Sequence, residues 1–124
     1  MGGKFLFGGA MRQAGMVAAA ARYALEHHID RLADDHRRAR RLAEGLAEAG
    51  LPVDPELVET NFVGLPVPDV AQARAVLETE GVLAGFLRPG HLRLATYLDV
   101  TDEDIEAAIA AIPRALRPAA VSVR

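Results

Sequence analysis

The segment VLAGFLRPGHLRLATYL, residues 82–98, decides the fold class of this 124-residue chain. It contains two largely apolar stretches, 82–87 and 91–98, on either side of Arg88-Pro89-Gly90. A Pro-Gly pair between two apolar stretches is typical of a tight turn. The segment therefore predicts an antiparallel β-hairpin.

Capping residues and apolar periodicity predict the elements around this hairpin. Gly50 marks the end of one helix and Asp69 the start of another. The predicted elements are helices at about 11–27, 29–49 and 70–80, a strand at 60–67, and a last helix that begins at 101–104 and that Pro113 ends or kinks. These elements indicate an α+β fold, in which about three mostly antiparallel strands are backed by helices, with a long N-terminal helix pair.

The composition is that of a globular protein. Hydrophobic residues make up 51% of the chain and charged residues 25%, which excludes an intrinsically disordered chain. The net charge is −3 and aromatic residues make up 5%, so we expect no nucleic-acid partner. The longest apolar run, 14–21, is too short to span a bilayer, and no signal sequence is recognisable. We therefore expect a cytoplasmic protein with no membrane partner.

The predicted first helix is unusually rich in alanine and other apolar residues. Apolar residues on most of its faces predict that it is largely buried. One face of the predicted sheet also lacks a helix to cover it, and both features indicate packing against another domain or subunit. We predict three parts: a Gly-rich loop and bridging helix at 1–28, a small domain at 29–118 and a loose tail at 119–124.

The most informative candidate site residue is Arg93. Alternation along its strand places Leu92, Leu94, Thr96 and Leu98 on one face, and Arg93, Ala95 and Tyr97 on the other. A guanidinium beside a small alanine and near a tyrosine could hold a substrate carboxylate by two parallel hydrogen bonds. The alternative interpretation is an arginine on a solvated strand face.

A second candidate, Arg12, follows Gly8-Gly9 at the start of the first helix. Free backbone N–H groups and the helix dipole favour an anion such as phosphate at that point. The alternative interpretation is a flexible loop that carries one surface arginine. The pattern is neither a P-loop nor a dinucleotide-binding motif.

Lys4 is the only lysine of the chain. It is a poor candidate for covalent cofactor chemistry, because that chemistry requires a rigidly held, desolvated amine and Lys4 lies in a glycine-flanked terminal segment. His27 and His28 lie at the end of the first helix and can cap its carbonyls. The acidic residues at 102–106 are better explained as helix-start charges than as metal ligands, so we expect no metal site.

The second predicted helix combines an apolar stripe with a charged face. His36 falls on the stripe, which favours a hydrogen-bonded core or interface histidine over a ligand. On the charged face, spacings of four residues predict ion pairs between Asp34 and Arg38 and between Arg40 and Glu44.

Several sequence blocks resemble the low-specificity threonine aldolases. The blocks are GGAMRQAG at 8–15, AAAARYAL at 18–25, RLADDH at 31–36, TNFV at 60–63 and RLATYLDV at 93–100. They occur in the family's order over nearly the whole chain. One departure is Tyr97, which stands where the family commonly has histidine, and this leaves the substrate preference open.

The resemblance implies a pyridoxal phosphate enzyme of fold type I that splits β-hydroxy-α-amino acids into glycine and an aldehyde. It implies that this chain is the C-terminal small domain, and that Arg93 binds the substrate carboxylate. Arg12 is then near the cofactor phosphate, at an interface with a neighbouring subunit. Lys4 falls at or next to a basic position upstream of the glycines, which makes it a further cofactor-binding candidate but not the lysine that binds the cofactor covalently.

The resemblance also implies that pyridoxal phosphate belongs to the complete enzyme and is not covalently bound to this chain alone. The implied partners are a large cofactor-binding domain, a second copy of the chain and an amino-acid substrate. Two other functions stay open: a non-catalytic oligomerisation module derived from the same fold, and a domain that recognises amino-acid carboxylates through Arg93.

Overall fold

The computed structural model of the chain describes residues 11–117. They fall into two units, one that ends at Leu32 and one that begins at Ala33. Lys4, Gly8-Gly9 and the predicted tail at 119–124 lie outside the described residues. The domain boundaries predicted at 28/29 and 118/119 stay predictions.

Helix α1, Ala14–His27, belongs to the first unit. It begins three residues later than predicted, after Gln13, whose φ of 54° lies in the left-handed region. His27 Nδ1 lies 2.9 Å from the carbonyl oxygen of Tyr23, as expected for a histidine near a helix end. None of the residues of this helix is buried within this chain, so the predicted burial requires a surface outside the chain and stays a prediction. The high helix propensity of its alanines favours the helix without burial.

Beyond α1, residues 11–117 contain three α-helices and one 3₁₀-helix. They are α2 at Leu32–Glu48, α3 at Val70–Thr79, α4 at Asp102–Leu116 and the 3₁₀-helix at Pro55–Leu57. The three α-helices lie close to their predicted bounds. None of the helices described in this part of the chain is both long and apolar enough to cross a bilayer.

The helix ends follow the capping chemistry of the sequence. Asp69 accepts a hydrogen bond from the backbone N–H of Gln72 at 3.0 Å, which confirms it as the N-cap of α3. Thr101 and Asp104 form a reciprocal capping box at the start of α4. Gly50 follows α2 with a φ of 86°, a conformation that favours glycine.

Pro113 lies inside α4 and does not end it, since the helix continues to Leu116. Of the two predicted effects of Pro113, ending or kinking the helix, the first is therefore wrong. A proline removes one backbone hydrogen bond, and here the ring is buried next to Ile112, which is fully buried. Burial of apolar surface offsets the missing bond near the end of the helix.

Three strands form one antiparallel sheet: β1 at Phe62–Pro66, β2 at Gly85–Arg88 and β3 at His91–Ala95. Their order is β1-β3-β2, so the second strand of the predicted hairpin is the central strand. All three are shorter than predicted. Leu98 lies beyond β3 and is 54% exposed, so the prediction that it shares one strand face with Leu92 and Leu94 is wrong.

The core lies between one face of the sheet and the helices of the second unit. Its sheet residues are Val63, Leu65, Leu92 and Leu94, and its helix residues include Leu42, Leu46, Leu77, Ile105 and Ile112. The predicted fold class, a three-stranded antiparallel sheet backed by helices, is confirmed. His36 is exposed and Asp35 takes the buried position. Of the two predicted places for His36, the core or an interface, the core is therefore wrong.

Charged side chains connect the exposed sides of α2 and α4. Arg38 Nε donates to Asp102 Oδ1 at 2.7 Å, and Arg41 Nε donates to Glu106 Oε1 at 2.7 Å. Arg38 thus pairs with Asp102 rather than with Asp34 as predicted. The long arginine side chain reaches a carboxylate on the neighbouring helix, a partner that local spacing does not reveal.

The second pair predicted on α2 is confirmed, since Arg40 Nε donates to Glu44 at 3.1 Å. Hydrogen bonds from Arg38 and Arg37 lower the pKa of the Asp102 carboxyl, because they stabilise its ionised form.

Candidate functional site

The sheet has one buried and one exposed face, and Arg93 lies on the exposed face. The antiparallel register pairs Gly64 with Arg93 and Phe62 with Ala95 on β1 and β3, and Gly85 with Arg93 on β2 and β3. We call the face that carries these five residues the open face. The alternation predicted for Arg93 and Ala95 is therefore confirmed, since both are exposed and their neighbours Leu92 and Leu94 are buried.

The Arg93 side chain lies across the open face. Its guanidinium carbon is 5.3 Å from the centroid of the Phe62 ring, within the range of a cation–π contact. On the other side it approaches Gly85, where an added Cβ would lie 3.1 Å from Nε and 3.3 Å from Nη2. The guanidinium therefore occupies the space that a side chain at Gly85 would fill.

No carboxylate of residues 11–117 forms an ion pair with Arg93. Its guanidinium contacts the Phe62 ring instead. In contrast, Arg38 and Arg41 on α2 each bind a carboxylate of α4. An arginine presents five N–H donors in a planar fork that matches a carboxylate. Arg93 thus retains its full capacity to bind an anion.

Hydrogen bonds fix the register of the strands near Arg93. Asn61 Nδ2 donates to the carbonyl oxygen of Thr96 at 2.7 Å, and the Thr96 N–H donates to the carbonyl oxygen of Asn61 at 3.0 Å. The buried Thr96 hydroxyl donates to the carbonyl oxygen of Asp35 on α2 at 2.6 Å. These bonds hold the end of β3 against β1 and α2, and so keep Phe62 beside Arg93.

The aromatic ring that lies against Arg93 is that of Phe62, whereas the sequence pointed to Tyr97. Tyr97 follows the end of β3 and is 55% exposed. The alternation that associated Tyr97 with Arg93 ends with the strand at Ala95. Phe62 and Gly85 were not recognised as site residues, because both approach Arg93 from other strands. The only sequence signal for Phe62 is its place in the TNFV block.

The other candidate residues contribute less to the described structure. Arg12 is exposed in the turn before α1, so it precedes the first N–H groups of that helix as expected. Arg12 and Arg93 belong to different units. Lys4 lies outside the described residues. Among residues 11–117, no cluster of three or more histidine, aspartate or glutamate side chains could hold a metal ion.

Known enzymes resemble this chain in sequence. The probable low-specificity L-threonine aldolase 2 of Arabidopsis thaliana is 37% identical over 105 residues, which are 80% of this chain and 30% of the relative. The low specificity L-threonine aldolase of Escherichia coli O157:H7 is 38% identical over 98 residues, which are 79% of this chain and 29% of the relative. The chain therefore spans about 30% of the length of the curated relatives that it matches.

A solved structure and a family model agree with these relatives. The structure of Sphingomonas wittichii serine palmitoyltransferase matches 79% of this chain and 27% of its own chain, with a TM-score of 0.61 and 27% identity. This likeness supports the fold class derived from the sequence. The family model described as beta-eliminating lyase matches residues 4–68, just over half of the chain. The threonine aldolase-like chain thus belongs to the beta-eliminating lyase family.

Proposed function

We propose that this chain is the C-terminal domain of a threonine aldolase-like lyase that cleaves β-hydroxy-α-amino acids to glycine and an aldehyde. In this proposal Arg93 binds the α-carboxylate of the amino-acid substrate. The observation that carries the assignment is the position of Arg93, which is exposed on the open face without a carboxylate partner among residues 11–117. The similarity to proteins named L-threonine aldolase supports the substrate class.

The residues of this chain do not by themselves fit a complete pyridoxal phosphate site. That cofactor binds covalently to a lysine amine and, when bound, supplies the electron sink for cleavage beside an amino group. Residues 11–117 contain no lysine, and Lys4 is the only one in the chain. The cofactor-binding lysine therefore belongs, in this proposal, to a larger part of the complete enzyme.

We assign the partner surfaces to two exposed regions, helix α1 and the open face of the sheet. Helix α1 carries apolar side chains that are largely exposed, among them Met16 at 79% and Leu25 at 66%. Exposed apolar surface of this kind is typical of interaction sites. The larger cofactor-binding part, or a second copy of the chain, covers these surfaces in the complete enzyme, and Arg12 there approaches the cofactor phosphate.

The same exposed helix favours one alternative function, a non-catalytic oligomerisation module that keeps the fold. The two functions differ in what they require of Arg93. A catalytic domain requires its guanidinium for substrate binding, whereas an oligomerisation module requires only the apolar surface.

A chimeric enzyme tests the proposal. The chain replaces the matched 98-residue segment of the Escherichia coli relative, and glycine release from L-threonine is measured. We expect activity, and we expect Arg93→Ala to raise KM by about 30-fold or more, as for the loss of one partner of a desolvated charge pair.

The control variant is Arg88→Ala. Arg88 is also exposed on the sheet, but its guanidinium lies 3.2 Å from His91 Nε2. Its replacement should leave KM unchanged. A chimera that folds and cleaves threonine equally well with and without Arg93 would contradict the assignment and favour the oligomerisation module.

A further inference from the structure

Arg93 lies between two glycines on the neighbouring strands, and the two glycines are not equivalent. A Cβ at Gly85 would meet Nε of Arg93 at 3.1 Å and Nη2 at 3.3 Å. A Cβ at Gly64 would meet Cδ2 of Leu87 at 3.2 Å and no atom of Arg93 within 4 Å. Neither glycine has a positive φ, so the backbone accepts alanine at both positions.

The Phe62 ring bounds the guanidinium from the other side. Phe62 pairs with Ala95, two residues along β3 from Arg93, and this diagonal arrangement brings a long side chain within reach of a ring on the adjacent strand. The negative face of an aromatic ring attracts a planar cation, and arginine is well suited to such stacking.

We propose that Phe62 and Gly85 are positioning residues that hold the Arg93 guanidinium in one orientation for the substrate carboxylate. Gly85 leaves the space in which the guanidinium lies, and Phe62 provides the surface against which it rests. An arginine side chain that is already ordered loses less conformational freedom when it binds a ligand. The inference rests on the proposed role of Arg93 in carboxylate binding and adds two residues to that site.

Nuclear magnetic resonance of the 124-residue chain tests the geometry without any substrate. The Arg93 Nε–Hε signal, assigned from its loss in Arg93→Lys, should show an upfield ring-current shift from Phe62. We expect Phe62→Leu to abolish this shift and Phe62→Tyr to retain it. Gly85→Ala should move the same signal because its methyl group displaces Nε, and the matched control Gly64→Ala should not. Backbone amide spectra report whether each variant keeps the fold.

Kinetics of the chimeric enzyme test the consequence for binding. We expect Gly85→Ala and Phe62→Leu to raise KM for L-threonine several-fold with a smaller change in kcat, and Phe62→Tyr to restore KM. An Arg93 signal that stays in place in Phe62→Leu or Gly85→Ala overturns the inference. An unchanged KM in those variants also overturns it, provided that Arg93→Ala raises KM. If Arg93→Ala has no effect, the proposed function fails, while the position of the Nε–Hε signal still decides the geometry.

Discussion

Thr96 connects the candidate site to α2 through its buried hydroxyl. Thr96 is 1% exposed, and its hydroxyl donates to the carbonyl oxygen of Asp35 at 2.6 Å. We expect Thr96→Val to lower the free energy of unfolding by about 0.5–1.5 kcal/mol, because the buried hydrogen bond to α2 is lost while the side-chain volume is preserved. Urea denaturation measures the change. Thr96→Ser keeps the hydroxyl donor and should lose less unfolding free energy than Thr96→Val. A valine variant as stable as the parent would contradict the stabilising role of this hydrogen bond.

The place of Arg93 on the exposed face of the sheet was predicted correctly from the sequence, whereas its neighbours Phe62 and Gly85 were not found, for a physical reason. Side-chain alternation is a local property, so it correctly placed Arg93 and Ala95 on the exposed face. Phe62 and Gly85 reach Arg93 only through the pairing of β1 and β2 with β3, and strand register is set by contacts between segments distant in sequence. His36 is absent from the core for a related reason, since the packing of α2 places Asp35 in the buried position.

At the scale of whole elements, α2 and α4 pack closely where α2 carries a glycine. A Cβ at Gly45 would lie 2.5 Å from Cδ1 and 2.7 Å from Cγ1 of Ile109. We expect Gly45→Ala to destabilise the protein, since overpacking of about 1–3 kcal/mol outweighs the helix-propensity gain of about 1 kcal/mol. Thermal or urea unfolding measures the net effect.

Two further variants identify the cause of that loss. Gly15 in α1 has nothing within 4 Å of an added Cβ, so Gly15→Ala should be neutral or slightly stabilising. The double variant Gly45→Ala with Ile109→Ala should lose less unfolding free energy than the two single variants lose together. The smaller side chain at position 109 leaves room for the new methyl group. Strictly additive effects would indicate that contact with Ile109 is not responsible.

The acidic start of α4 makes stability depend on pH. The hydrogen bond from Arg38, then that from Arg37, lowers the pKa of Asp102, and the backbone and hydroxyl of Thr101 lower the pKa of Asp104. Because both pKa values are lower in the folded than in the unfolded chain, the ionised carboxylates stabilise the fold above the unfolded pKa of about 3.9. This contribution disappears as the pH falls through the lowered folded values.

We therefore expect the urea midpoint to decline on acidification below about pH 4. Asp102→Asn should be less stable than the parent at neutral pH, and its urea midpoint should decline less steeply as the pH falls. Glu103→Gln serves as the control, because Glu103 is exposed and forms no ion pair among residues 11–117. The urea midpoint of this variant should decline on acidification as that of the parent does. If the urea midpoints of Asp102→Asn and the parent decline in parallel on acidification, the ion pair between Arg38 and Asp102 does not stabilise the fold.

Elements were easiest to predict where local chemistry determines them. Asp69 and Gly50 marked helix ends correctly, because capping satisfies backbone groups within one turn. The strands were predicted too long, because apolar residues such as Leu98 continue beyond the last paired residue. Pro113 does not end α4 as one of its two predicted effects required, since burial against the core favours a helix that continues past it.

At the scale of the whole molecule, the exposed apolar residues predict association. Met16, Val17 and Leu25 on α1 are 79%, 60% and 66% exposed. Since soluble monomers rarely expose large contiguous apolar patches, we expect the chain to form dimers or larger assemblies at micromolar concentration. Light scattering measures the mass, and Leu25→Glu should shift it towards the monomer. A monomeric mass for the parent would contradict this expectation.

The final prediction is that the 124-residue chain with added pyridoxal phosphate releases no more glycine from L-threonine than the cofactor alone. Cleavage beside an amino group requires a lysine-held cofactor as electron sink and a substrate oriented against it. Arg93 can bind the carboxylate, which orients the substrate but breaks no bond. Lys4 is the only lysine, so turnover that Lys4→Arg abolishes would overturn the prediction. We expect the chimeric enzyme to cleave threonine and its Arg93→Ala variant to lose this activity. That result would assign substrate orientation to this chain and bond cleavage to the larger part.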